Sequence, residues 1–200
     1  MWAMPLELLV AVSIFGFVTA ITPGPNNTYL LASGANFGTR KSLVFVNGIM
    51  VGLSVMLIAL GLGLSALFIA VPFIYQILKY VGFAYISYLA YKVIRSGYKS
   101  GPDDVDAPKF SRAIVLQFLN VKAWIVTSSF MATYAPVELG IVAVAICIAL
   151  FLIFTYPGAV AWAMLGQSIS KILTNPTRRR AFNWTAGILL VATMVPALFI

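Results

Sequence analysis

Thr22-Pro23-Gly24-Pro25-Asn26-Asn27 interrupts an uncharged stretch, residues 8–39, in which a membrane-spanning helix would be expected to continue unbroken. Proline has no N–H and pushes the preceding residue out of helical geometry. Pro23 and Pro25 therefore deprive the carbonyls four residues earlier of their helical partners. We predict that one helix ends near Thr22 and that Pro25 opens the next one.

A break of this kind presents both signs of charge at one place. The freed carbonyls on one side can receive a cationic group, while the N–H groups at the start of the next helix can receive an anion. Inside a membrane, irregular backbone is tolerated where protein or a water-filled cavity supplies partners. We therefore predict a cavity that binds a zwitterion such as an amino acid, lined by Pro23, Gly24, Pro25, Asn26 and Asn27.

The composition is that of an integral membrane protein. Of the 200 residues, 62% are hydrophobic and 9% are charged, and the mean hydropathy is +0.99. A soluble domain of this size cannot bury so much apolar surface. Histidine is absent and Cys147 is the single cysteine, which argues against a metal site, a cofactor, redox chemistry or an enzyme.

The apolar runs predict an all-α protein with six membrane-spanning helices in one transporter domain, residues 1–200. The run between Lys41 and Lys79 is too long for one helix, and Pro72 is the expected turn. The fourth connection is expected at Pro136 and Glu138. The six predicted spans cover residues 6–35, 42–70, 73–94, 113–134, 139–168 and 181–200.

The hydrophilic segment 96–112 divides the chain into two halves, residues 1–95 and 113–200. Eleven of the thirteen basic residues fall on one side of the predicted membrane, which places those loops in the cytoplasm and both termini outside. The net charge of +8 is explained by contacts with anionic lipid and needs no nucleic acid. Two three-helix repeats inserted in opposite orientations are the layout of many secondary carriers.

The fourth span carries an intramembrane cation. Lys122 lies about ten residues beyond Arg112, or ~15 Å by helical rise, and thus near the bilayer midplane. A charge at this depth is costly and is expected to face the protein interior. We predict that Lys122 holds a substrate carboxylate, releases a proton or alternates between the two. Asn120 is predicted either to contact substrate or to link helices.

Several segments resemble the LysE/RhtB family of bacterial amino-acid exporters. They are Pro23-Gly24-Pro25-Asn26, the segment Lys79-Tyr80-Val81-Gly82-Phe83-Ala84-Tyr85 followed by Tyr88-Leu89-Ala90-Tyr91-Lys92, and Asn120-Val121-Lys122-Ala123-Trp124. The resemblance covers nearly the whole chain. It implies an inner-membrane carrier that exports amino acids or close derivatives, with the proton gradient as the driving force. It also implies that Pro23 to Asn26, Asn120 and Lys122 belong to the substrate site.

One position departs from the family pattern, and several alternatives stay open. Family members usually have proline between the asparagine and the lysine, where this chain has Val121. Because Val121 keeps its N–H, the fourth helix can continue through this point, and whether it breaks is left open. Small neutral or polar substrates are favoured over dibasic ones, since no intramembrane carboxylate is seen. An exporter of another small solute or ion, a passive channel and a homo-oligomer are also compatible with the sequence.

Overall fold

The computed structural model describes residues 5–64, 73–96, 107–135 and 140–199. Within these ranges the chain is helical and contains no β-strand. The helices are α1 (Leu6–Ile21), α2 (Pro25–Phe37), α3 (Thr39–Gly61), α4 (Phe73–Ser96), α5 (Phe110–Leu119), α6 (Val121–Tyr134), α7 (Ile141–Ser170) and α8 (Pro176–Ala192), followed by a 3₁₀ turn at Pro196–Leu198.

The described part of the chain contains three to five candidate membrane spans. Helices α3, α4 and α7 are each long and apolar enough to cross a bilayer. The pairs α1–α2 and α5–α6 each qualify as one span when the bend between them is allowed. Helix α8 has 17 residues, which corresponds to about 26 Å, and begins five residues before the predicted sixth span. The predicted turns at Pro72 and at Pro136 and Glu138, and most of the loop 96–112, lie outside the described residues.

The first span is broken where the sequence predicts it. Helix α1 ends at Ile21 and α2 begins at Pro25, with a bend of 58° between them. Pro25 occupies the first helical position, and the N–H of Thr28 donates to the Gly24 carbonyl at 2.9 Å as the first helical bond. The prediction of a helix end near Thr22 and a new start at Pro25 is confirmed.

The fourth span is also broken, which settles the question that Val121 left open. Helices α5 and α6 meet at Asn120 with a bend of 71°. Val121 occupies the first position of α6, where an N–H has no acceptor in the preceding turn whether or not the residue is proline. Retaining this N–H therefore does not restore a continuous helix. The Trp124 indole N–H stabilises the break by donating to the Phe118 carbonyl at 2.7 Å.

Each half of the chain packs its second span against the broken span of the other half. Helix α7 lies along α1 and α2, while α3 lies along α5 and α6, and α4 packs against α8. Glycines allow the close approaches. A Cβ at Gly166 would overlap the Leu31 carbonyl of α2, and a Cβ at Gly52 would lie 2.8 Å from the Cβ of Gln117 in α5. Phe45, Phe130 and Phe151 are among the fully buried side chains of the core.

Candidate functional site

A cavity of about 70 Å³ lies between the two breaks. The walls come from both broken spans together with α3 and α7. Polar lining residues are Thr19, Asn26, Asn27, Gln117, Asn120, Lys122 and Thr155.

The Lys122 ammonium occupies the carbonyl side of the first break. Its Nζ donates to the Pro23 carbonyl at 2.8 Å and to the Thr22 carbonyl at 3.1 Å. Glu7 is the only acidic residue in the described part of the chain, and it lies in the first turn of α1, far from the break. Lys122 is thus held by backbone carbonyls, one of the solutions that an intramembrane lysine requires.

Gly24 forms the wall against which the lysine chain lies. Its backbone is extended, with φ 179° and ψ 179°. A Cβ at this position would lie 3.0 Å from both Cδ and Nζ of Lys122. The absence of a side chain at Gly24 therefore permits the approach of the ammonium to the carbonyls.

Asn27 stabilises the same break from the other side. Its Nδ2 donates to the Ala20 carbonyl at 2.6 Å and to the Thr22 carbonyl at 2.8 Å. The indole N–H of Trp162 also donates to Ala20, at 3.2 Å. Both amide hydrogens of Asn27 are thus engaged by backbone, which makes this buried residue a positioning residue for the carbonyls that Lys122 uses.

The remaining asparagines connect the two broken spans. Asn26 Nδ2 donates to Gln117 Oε1 at 2.7 Å, and Asn120 Nδ2 is 3.5 Å from Asn26 Oδ1. Three side-chain amides therefore bridge α2 and the junction of α5 with α6. The link between helices foreseen for Asn120 is present, though long.

Comparison with known proteins bears on what this arrangement does. The model of the LysE type translocator family matches residues 17–197 of the chain. The chain belongs to the LysE/RhtB family. It is 31% identical over 191 residues to the cysteine/O-acetylserine efflux protein of Escherichia coli (strain K12), covering 94% of this chain and 96% of the relative. The protein of the same name from Shigella sonnei (strain Ss046) shows the same identity and coverage. No solved structure matches the chain.

Six of the seven predicted site residues of this translocator line one cavity. They are Gly24, Pro25, Asn26, Asn27, Asn120 and Lys122. Pro23 is exposed and takes part through its carbonyl. The sequence analysis missed Gln117, which is fully buried and lines the cavity. Its signal was an amide in an apolar run, three residues before Asn120 and hence on the same helix face.

The backbone places two helix N-termini and one set of carbonyls at the cavity. The N–H groups of Asn26 and Asn27 begin α2 at the first break and come before Thr28, whose N–H makes the first helical bond. The N–H groups of Val121 and Lys122 begin α6 at the second break in the same way. Helix N-termini favour anions, and carbonyl groups favour cations. The site therefore presents backbone partners for both a positive and a negative group.

Proposed function

We propose that this LysE-family translocator is a secondary carrier that exports small neutral or polar amino acids, or close derivatives, in exchange for protons across the bacterial cytoplasmic membrane. The observation that carries the proposal is the Lys122 ammonium on the carbonyls of Thr22 and Pro23, at 3.1 and 2.8 Å. An amino acid brings an ammonium of the same chemistry to the same cavity.

Competition for these carbonyls would couple the two movements. Two cations cannot occupy one pair of carbonyls without strong repulsion. When the substrate ammonium binds from the cytoplasm, Lys122 leaves the carbonyls and releases its proton to water on the cytoplasmic side. When the substrate has left on the outside, Lys122 takes a proton from the outside and returns to the carbonyls. Substrate and proton therefore occupy the carrier in turn, which is the requirement for antiport.

The substrate carboxylate has a separate place in this scheme. The N–H groups of Asn26 and Asn27 begin α2 next to the carbonyls of the break, and a helix N-terminus stabilises an anion. Gly24 separates the two sides and leaves room for backbone to approach the ligand. A zwitterion would therefore satisfy both sides of the first break at once.

The preference for neutral substrates follows from charge. The described cavity walls contain one cation, Lys122, and no carboxylate that could pair with a basic side chain. The relatives named as cysteine/O-acetylserine efflux proteins point in the same direction, because their names contain small neutral amino acids.

The proposal includes six spans arranged as two inverted repeats, with both termini outside. Helix α7 of the second half packs on the broken span of the first half, and α3 of the first half packs on the broken span of the second. This reciprocal packing supports the arrangement, since an inverted pair of repeats would produce both contacts. Helix α8 together with the 3₁₀ turn that follows would form the sixth span. The basic residues at the start of α3, the end of α4 and the start of α8 support a cytoplasmic location for these ends.

Counterflow in sealed vesicles tests the proposal. The purified protein is reconstituted in liposomes loaded with L-serine, L-cysteine or O-acetyl-L-serine, and uptake of the same labelled compound is followed. A carrier gives transient accumulation above equilibrium, whereas a channel gives simple equilibration. Absence of accelerated exchange for all three compounds would contradict the proposed function.

A further inference from the structure

One face of α2 leads from the substrate cavity towards the end of the helix at Phe37. Its side chains recur three or four residues apart, which places them on a single stripe: Asn26, Tyr29, Ser33 and Asn36. Asn26 lines the substrate cavity, whereas the other three line a second cavity of about 20 Å³. This face of α2 therefore connects the substrate cavity with a smaller one nearer the end of the helix.

Helix α3 presents a matching face to α2. Gly38 alone joins the two helices, and they pack against each other in opposite directions. Ile49 lines the substrate cavity, and Phe45 and Ser42 follow one and two turns nearer the start of α3. The hydroxyl of Ser42 lies 2.7 Å from that of Ser33 in α2. The two faces are thus in register from the substrate cavity to the start of α3.

Tyr29 and Phe45 lie at the level between the two cavities. Their rings are stacked, with centroids 4.2 Å apart and an angle of 25° between the planes. Tyr29 is 5% and Phe45 0% exposed, so protein encloses both rings. Asn26 precedes Tyr29 by one turn at the substrate cavity, and Ser33 follows it by one turn at the smaller cavity. A solute moving along this face would have to pass the stacked rings.

Four helices surround this route. Helix α2 packs against α3, α3 against α5, α5 against α4, and α4 against α2. Basic residues mark the ends of three of these helices on one side, at the start of α3, the end of α4 and the start of α5: Arg40, Arg95 and Arg112. Because basic residues favour the cytoplasmic side, the route leads to the cytoplasm in the proposed orientation.

We propose that the exported solute enters the substrate cavity from the cytoplasm along this face of α2, and that Tyr29, stacked on Phe45, is the gate of the route. The inference rests on the proposed function for the direction of transport and for the side on which the gate lies. The stacking of two rings is worth about a two- to tenfold change in an equilibrium, which is small enough to be broken and remade in each transport cycle.

Tyr29 is the ring that moves. It borders the smaller cavity, whereas Phe45 is fully buried. Because Gly38 alone joins α2 to α3, the two helices cannot separate far at this level. Opening is therefore a rotation of the Tyr29 side chain and needs no separation of the helices.

Labelling of a cysteine at position 49 tests the gate without requiring transport. Cys147 is first replaced by alanine, so that Ile49→Cys supplies the only thiol. A charged methanethiosulfonate is added to inside-out vesicles and reaches the substrate cavity from the cytoplasmic face. Tyr29→Ala should raise the labelling rate about tenfold, because it removes both the ring and its stacking. Tyr29→Phe keeps the stacked ring and should stay near the parent rate.

Phe130→Ala is the matched control. Phe130 is 0% exposed and packs against the rings of Phe15 and Phe151, so the change removes an equally buried ring from another wall. It should leave labelling from the cytoplasmic face at the parent rate. An equal increase in Phe130→Ala would show that loosened packing exposes the thiol and would overturn the gate. Phe45→Leu removes the stacking from the other side and replaces Tyr29→Ala if that variant does not fold.

The outcomes separate the gate from the proposed function. Unchanged labelling in Tyr29→Ala, or an increase confined to right-side-out vesicles, would overturn the cytoplasmic gate, and counterflow by the wild type would still uphold the carrier. Raised labelling from the cytoplasmic face without counterflow of any amino acid would overturn the proposed function and uphold the gate.

Discussion

Replacing Lys122 by methionine separates proton coupling from substrate exchange. If Lys122 competes with substrate for the carbonyls of Thr22 and Pro23, the variant still binds an amino acid at the empty site. It has lost the cation that occupies the carbonyls when substrate is absent. We therefore expect Lys122→Met to retain counterflow but to lose export driven by a pH gradient.

The structure sets the size of this loss. In Lys122→Met the Thr22 carbonyl keeps its hydrogen bond from Asn27 Nδ2 at 2.8 Å. The Pro23 carbonyl loses its hydrogen bond from the Lys122 ammonium. Because Pro23 is exposed, water can replace the lost donor, and the cost is that of one ordinary hydrogen bond, about 0.5–1.5 kcal/mol. A cost of about 1.4 kcal/mol corresponds to an about tenfold lower population of the empty carrier with the break in this conformation.

Membrane abundance should not fall, because the unfavourable effect is the smaller of the two that oppose each other. The same unpaired carbonyl is unfavourable, whereas removal of an intramembrane charge relieves a cost of about 2.5–3.5 kcal/mol on insertion scales. The matched control is Lys171→Met, which removes an exposed lysine after the end of α7.

The assay uses two vesicle preparations of each protein. One is acidic inside with labelled L-serine outside, so that proton efflux drives accumulation; the other has no pH gradient and excess unlabelled L-serine inside. The wild type and Lys171→Met should be active in both, and Lys122→Met only in the second. Accumulation by Lys122→Met at the wild-type rate in the first preparation would refute the competition, and loss of both activities by folded protein would assign Lys122 to the substrate carboxylate.

Three further substitutions test the backbone around the site. Replacing both Pro23 and Pro25 by alanine restores two helical N–H donors and should reduce transport, with a smaller loss for Pro25→Ala alone because the first helical position does not need proline; transport rates of the double variant equal to wild type would show that the break is dispensable. Gly24→Ala places a methyl group against the Lys122 side chain and should weaken one hydrogen bond of its ammonium, which lowers proton-driven export about two- to tenfold at normal protein abundance. An unchanged rate would show that the ammonium tolerates displacement. Gly166→Ala directs a Cβ onto the Leu31 carbonyl and should lower the free energy of unfolding by about 1–3 kcal/mol, seen as a lower melting temperature in detergent, whereas Gly61→Ala, whose Cβ would meet only the mobile end of Met131 at 3.3 Å, should not.

The first break could be predicted from sequence because its cause is local. Two prolines remove N–H donors at fixed positions, whatever the rest of the chain contacts. The second break could not be decided in this way. Val121 is compatible with both a continuous and a broken helix, and the outcome depends on Trp124 reaching the Phe118 carbonyl, a contact that becomes visible only in three dimensions.

The sequence also could not show that the Lys122 ammonium is the group that binds the carbonyls of the first break. The prolines predict free carbonyls at Thr19 and Ile21, four residues earlier, whereas Lys122 donates to the carbonyls of Thr22 and Pro23. Pairing the cation with the break also requires knowing that the two spans cross at their breaks. Gln117 was missed for a related reason. An amide in an apolar helix is most simply an interhelical link, and its importance appears only when its Nε2 and the Oδ1 of Asn120 are found buried without partners.

The two breaks are alike in backbone and different in side chains, and this difference carries the chemistry. Each new helix begins one residue after its cap, so the second position is Asn26 in α2 and Lys122 in α6. Asn26 is neutral and donates to Gln117 Oε1. Lys122 is charged, and its side chain crosses to the carbonyls of the first break. Two asparagines at these positions would leave the empty site without any cation. In the proposed mechanism, one cation shared between two breaks gives a carrier whose empty state needs a proton and whose loaded state excludes it.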